Sequence, residues 1–133
     1  MRNLVTGATG FVGRQLMRRL ERPVVLSRSA AGARKKLPEL LFDAYDWDAE
    51  RHEPPLAAFH QVGTVFHLAG EPVAEGRWTA EKKVRLRESR VAGTQHLVAA
   101  LAKLPASERP KTLVSASAVG YYGSRGDEIL DET

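Results

Sequence analysis

The chain has 133 residues, 43% hydrophobic and 27% charged, an ordinary balance for one globular domain with a real core. Zero cysteines exclude disulfides, thiolate zinc sites and iron–sulfur clusters and fit a cytoplasmic setting, while no apolar run approaches the ~18 residues of a membrane span. The net charge of +4 comes from basic residues dispersed among acids without interleaved aromatics, which predicts a solvated cationic surface and no nucleic-acid interface.

The first element is a short strand over Arg2-Asn3-Leu4-Val5-Thr6, and a strand this early is expected to leave no room for a leader peptide. It runs into Gly7-x-x-Gly10-x-x-Gly13 and then a helical pattern, which reads as strand, tight turn, helix. A doubly wound α/β domain presents backbone N–H groups and a helix N-terminus to a pyrophosphate in this way. Gly7 is expected to take the turn dihedrals, Gly10 to leave space for the pyrophosphate, and Gly13 to let the helix pack close to the strand. Thr9, Gly10, Phe11 and Val12 are the expected N–H donors. The spacing differs from Gly-x-Gly-x-x-Gly, and Arg14-Gln15 after Gly13 excludes a Walker phosphate loop. The competing reading is a structural glycine turn with no ligand.

Val12, Leu16 and Leu20 recur at helical spacing and predict the buried face of the first helix, which ends before Pro23. Val24 to Ser27 is a short buried strand, Ala30 to Lys36 a small helix, and Leu40 to Tyr45 a weaker strand. At the end of the second strand an Asp or Glu would bind both ribose hydroxyls of NAD, but Ser27-Arg28-Ser29 stands there. A guanidinium with two flanking hydroxyls suits a 2′-phosphate, so NADP(H) is preferred over NAD(H). The alternative is an ordinary surface arginine. Trp47-Asp48, after the third strand, is a candidate border for the adenine, with plain packing the alternative for the tryptophan.

His52 to Gln61 is a connection with one helical turn, and Val62 to Leu68 is a central strand. Leu68-Ala69-Gly70-Glu71 supplies small residues where a nicotinamide ribose needs close backbone approach. His67 lies inside the strand and reads as a hydrogen-bonded core histidine, and no metal site is expected because no second ligand stands at suitable spacing. Gly76-Arg77-Trp78 precedes the long helix from Ala80 to Lys103, with Thr79 as its N-cap. Arg77 is a candidate for an anionic group of a substrate. Val84, Val91, Thr94, Val98 and Leu101 are expected to form the helix's buried face, and Lys82, Lys83, Arg85, Arg87 and Arg90 give it a basic side. A fifth strand follows over Thr112 to Ser117. This alternation predicts an α/β fold, a doubly wound parallel sheet of Rossmann-like type with five strands.

Val-Thr-Gly-Ala-Thr-Gly-Phe-Val-Gly at the start, His-Leu-Ala-Gly from His67 and Ser-Arg-Val-Ala-Gly-Thr from Ser89 occur in the order that resembles the extended or atypical short-chain dehydrogenases/reductases. Leu68 to Thr79 and Ser117 to Gly123 are similar to stretches of the nucleoside-diphosphate-sugar-epimerase-like group. The resemblance covers essentially the whole chain. It implies a Rossmann-type fold, NADP(H) binding and hydride transfer at a carbinol carbon of a small or nucleotide-linked substrate.

In active members of the extended group, the resemblance implies a Ser or Thr ending strand five and a later Tyr-x-x-x-Lys pair. Aligned on Tyr122-Gly123, the Ser/Thr position falls on Ala118; Ser117 is one residue early and so points the opposite way on a strand. Ser117 is therefore the sole catalytic candidate, and a compromised one. No Tyr-x-x-x-Lys pair occurs; Tyr121 and Arg125 match the spacing of such a pair but follow strand five directly. Arg90 replaces the Asn usual before Val-x-Gly-Thr. Against the family the chain reads as its N-terminal part, without the sixth strand and substrate lobe, and is expected not to turn over alone. The rival readings are a non-catalytic NADP(H)-binding or redox-sensing module and, last, a nucleic-acid binder using the basic helix.

Overall fold

The computed structural model describes residues 1–70, 74–117 and 123–132. In chain order these form β1 (Arg2–Thr6), α1 (Phe11–Met17), β2 (Val24–Ser27), α2 (Ala30–Lys36), β3 (Asp43–Asp46), β4 (Val62–His67), α3 (Ala80–Lys103) and β5 (Thr112–Ser115). Single 3₁₀ turns lie at Leu56–Phe59 and Ala106–Glu108.

The strands form one parallel sheet in the order β3-β2-β1-β4-β5. The chain therefore winds outward from β1 to one edge, then returns to β1's other side, so the order reverses between β1 and β4. Ligands of doubly wound sheets lie beyond the strand carboxyl ends at that reversal. In register, Thr6 ends β1 opposite Leu26 on one side and His67 on the other.

Successive residues of a strand face opposite ways, so Leu4 and Val5, or Val24 and Val25, enter two different cores, and all four are at most 1% exposed. On one face Leu4, Val24, Leu26, Val62 and Val65 pack with Trp47 and Phe59 beneath Leu97, Ala100 and Leu104 of α3. On the other, Val5 and Val25 pack with Ala8, Met17, Ala33 and Leu37 from the α1 and α2 side.

Two sequence expectations hold only in part. On α1, Val12 is 61% exposed; the helix buries Gly13 and Met17, with Leu16 and Leu20 partly covered. On α3, Val84, Val91 and Val98 face outward, and the buried side carries Lys82, Ser89, Gly93, Leu97 and Ala100. Small residues set each contact: Gly13 lies against the backbone of Gly7 and Ala8, and Gly93 against the Ala49 side chain. A Cβ on Gly93 would stand 3.2 Å from the Ala49 Cβ. Apolarity alone misplaced Val12, Val84, Val91 and Val98, whereas Leu16, Leu20 and Leu101 do pack against the cores and Thr94 reaches His67.

β3 lies a little later than its apolar run, at Asp43–Asp46, because pairing with β2 sets its bounds. β5 stops at Ser115, and its Leu113 and Val114 are exposed at the sheet edge. Thr79 caps α3 as expected, accepting the Lys82 N–H at 3.1 Å. No helix among the described residues is long and apolar enough to cross a membrane.

Candidate functional site

The glycine turn sits between β1 and α1, at the middle of the sheet's carboxyl edge. Gly7 has φ +71°, and a Cβ there would meet Leu68 C at 2.7 Å and Ala69 N at 2.8 Å. Gly13 is tighter still: its Cβ would fall 2.1 Å from the Gly7 carbonyl oxygen. No side chain fits either position. Gly10 has ordinary extended dihedrals, so its value is the open surface that it leaves.

Gly10 N–H donates to Gly7 O at 3.1 Å, which corrects its assignment as a free donor. Thr9, Phe11 and Val12 keep unpaired N–H groups among the described residues. α1 begins without a side-chain cap or an acidic residue in its first turn. The other two helices are capped. Ser29 Oγ accepts Gly32 N–H at 2.9 Å and Asp46 Oδ1 accepts Ala30 N–H at 2.7 Å on α2, while Thr79 serves α3. Among the described α-helices, the one behind the glycines alone lacks a side-chain cap at its electropositive end.

Beneath the turn lies a buried polar cluster. Thr6 Oγ1 accepts from the N–H groups of Leu68 at 3.1 Å and Ala69 at 3.0 Å, and lies 2.8 Å from His67 Nδ1. His67 Nε2 lies 3.0 Å from Thr94 Oγ1 on α3. Burial pushes the His67 pKa down by withholding solvent from the charged form. The ring stands 6.3 Å from that of Trp47, centroid to centroid. His67 is thus the satisfied core histidine expected from its place in the strand. Thr6 was not singled out by sequence, although it immediately precedes the first glycine.

At the end of β2, a cleft of about 410 Å³ is lined by Arg28, Ser29, Asp46, Trp47, Asp48, His52 and Glu53. Arg28 is exposed and forms no hydrogen bond or ion pair with the described residues. Ser27 Oγ accepts a backbone N–H from Ser29 at 3.4 Å, and Ser29 Oγ acts as the α2 cap; each hydroxyl retains its own proton to donate. Trp47 is 4% exposed and its Nε1–H donates to His52 O at 2.7 Å, so it both packs and walls the cleft. Sequence reasoning missed Asp46, His52 and Glu53, which reach the cleft from separate segments.

The β4 end carries Leu68, Ala69 and Gly70, with the Arg90 guanidinium lying over Gly70: a Cβ there would meet Arg90 Cζ at 2.9 Å. Arg77 is exposed ahead of the α3 cap, and Ser117 is exposed beyond β5. Glu71, Ala118, Tyr121 and Tyr122 lie outside the described residues.

A parallel sheet with a switch point at β1/β4 and a close-packed glycine turn before an uncapped helix defines a Rossmann-like nucleotide-binding domain. Residues 3–133 match the model of the NAD dependent epimerase/dehydratase family, and the chain belongs to that family. It is similar to the chloroplastic Epimerase family protein SDR39U1 homolog of Arabidopsis thaliana, with 39% identity covering 96% of this chain and 37% of that protein. It is also similar to Epimerase family protein YfhF of Bacillus subtilis, with 33% identity covering 96% of this chain and 41% of that protein. The chain thus spans about two-fifths of the length of these relatives. Among solved structures, MoeE5 in complex with UDP-glucose and NAD superimposes with TM-score 0.73 at 26% identity, covering 99% of this chain and 41% of that one. UDP-glucuronic acid 4-epimerase of Bacillus cereus in complex with NAD shares the fold, with TM-score 0.72, 22% identity and coverage of 97% and 44%.

Proposed function

We propose that this chain holds a nicotinamide dinucleotide, NADP(H) in preference to NAD(H), for an oxidoreductase or epimerase acting on a small or nucleotide-linked carbinol. The observation that carries the reading is the glycine turn. Its Gly7 and Gly13 have no space for a Cβ, and the helix behind it leaves its first N–H groups uncapped. A pyrophosphate fits that cradle because Thr9, Phe11 and Val12 supply donors and the helix end supplies positive potential. The adenosine end is assigned to the cleft, with Trp47 and Asp48 beside the base and Ser27, Arg28 and Ser29 beside the ribose.

When bound, the nicotinamide supplies a carbon that accepts or donates hydride. The chain's own part is orientation: Leu68, Ala69, Gly70 and Glu71 are assigned to the nicotinamide ribose, and Arg77 to an anionic group of the substrate. Ser117 remains the catalytic candidate. The MoeE5 complex with UDP-glucose supports a nucleotide-linked substrate by likeness.

Titrating NADPH and NADH against the chain and its Arg28→Ala variant tests the reading. Loss of a bidentate phosphate contact costs NADPH ~1.5–3 kcal/mol and leaves NADH unchanged. Equal losses for both cofactors would overturn the role of Arg28, and no binding of either would overturn the whole reading.

A further inference from the structure

The distances in the polar cluster under the glycine turn favour one arrangement of its protons. A threonine hydroxyl oxygen has two lone pairs and one proton. Two N–H groups point at Thr6 Oγ1: that of Ala69 at 3.0 Å, and that of Leu68, which is shared between Oγ1 at 3.1 Å and the Thr6 carbonyl oxygen at 3.3 Å. With the shorter Leu68 contact made to Oγ1, the contact to His67 Nδ1 at 2.8 Å uses the Thr6 proton, and Nδ1 is the bare, accepting nitrogen. The ring proton then resides on Nε2 and donates to Thr94 Oγ1 at 3.0 Å. A proton on Nδ1 would present a third donor to that oxygen and push the Leu68 N–H onto its longer contact with the Thr6 carbonyl alone.

We propose that His67 is a positioning residue: locked as the Nε2–H tautomer between Thr6 and Thr94, it aims the Thr6 hydroxyl so that its oxygen clamps the amides of Leu68 and Ala69. Those two residues form the wall against which Gly7 is pressed, within 2.8 Å of a would-be Cβ. Three segments distant in sequence are thereby joined at one ring: the end of β1, the end of β4 and the middle of α3. His67 touches neither nucleotide nor substrate in this account. It acts through Thr6 on the shape of the turn, and its effect on nucleotide affinity rests on the function proposed above. Burial of the ring, which disfavours its charged form, acts in the same direction.

Three measurements on the full chain test this. Long-range proton–nitrogen NMR of the ¹⁵N-labelled protein should show a pyridine-like Nδ1 and a pyrrole-like Nε2 for His67; the opposite tautomer, or an averaged mixture, overturns the proposal. Hydrogen exchange of the Ala69 amide should be slow in the wild type and in His67→Asn, whose side-chain oxygen can stand in for Nδ1 as acceptor. In His67→Leu, which has no acceptor, it should quicken at least tenfold, and equal rates in all three refute the clamp. NADPH affinity should fall about tenfold in His67→Leu and be largely rescued in His67→Asn; equal weakening in both overturns the link to the turn. Should the wild type bind neither NADPH nor NADH, the nucleotide reading falls alone, because the tautomer and exchange measurements use no ligand.

Discussion

Replacing Gly13 by alanine is the sharpest test of how the turn is built. Within α1 its new Cβ would lie 2.1 Å from Gly7 O and 2.9 Å from both Ala8 C and Ala8 Cα. Carbon–oxygen contacts in stable structures stop near about 3.3 Å, so the turn and the helix must separate by roughly 1 Å. All three obstructing atoms are backbone, so no rotamer change relieves them. Overpacking of this kind costs up to about 3 kcal/mol, while an alanine in a helix returns about 1 kcal/mol of propensity. The net expectation is a loss of about 2 kcal/mol, or roughly 8 °C in melting temperature for a domain of this size. Because Gly7 O also accepts the Gly10 N–H, the displacement reshapes the cradle, and NADPH affinity should fall at least tenfold by titration calorimetry. Gly32→Ala is the internal control. Its Cβ would meet only the Ser29 side chain, at 3.1 and 3.3 Å, so α2 should be unchanged or slightly stabilised. A Gly13→Ala protein that melts with the wild type and binds NADPH equally would refute the close-packing argument.

The lowered His67 pKa carries a pH signature. Between the folded value and the ordinary value near about 6.5, the unfolded chain binds more protons, so stability is full above that range and declines as pH falls through it. Urea melts across that window should show the decline in the wild type and a smaller one in His67→Asn; an identical decline would assign it to other groups. Ser29→Ala removes the α2 cap and should cost about 1 kcal/mol in the same melts, with Asp46 still holding the Ala30 N–H. Leu97→Ala, at a fully buried position under α3, should cost about 2–5 kcal/mol, whereas Val98→Ala on the exposed side of the same helix should stay within about 0.5 kcal/mol. Comparable losses at both positions would contradict the assignment of the helix's inner face.

Much of the architecture was legible because it is encoded locally. Gly7, Gly10 and Gly13 announce a strand, a turn and a helix by spacing alone. Thr79 marks the start of a helix that indeed runs from Ala80 to Lys103, and Ala30 to Lys36 is helical as its pattern indicates. The apolar run Val24-Val25-Leu26 identifies β2 as a strand buried on both sides, since a sheet covered by helices on both faces removes any need for alternation. The family motifs are equally local. They led to the family to which the chain belongs without any distance being known.

Only the tertiary structure decided which side of each helix turns inward. Val84, Val91 and Val98 look like a core stripe in sequence, yet the Ser89-Gly93-Leu97-Ala100 side turns inward, with Gly93 against Ala49 and Leu97 and Ala100 in the core. Nor could periodicity reveal that Thr6, His67 and Thr94 meet. They are brought together by parallel pairing of β1 with β4 and by α3 crossing behind them. Spacing records what neighbours along the chain can do, whereas a hydrogen-bonded ring between three remote segments exists only once the sheet order is set.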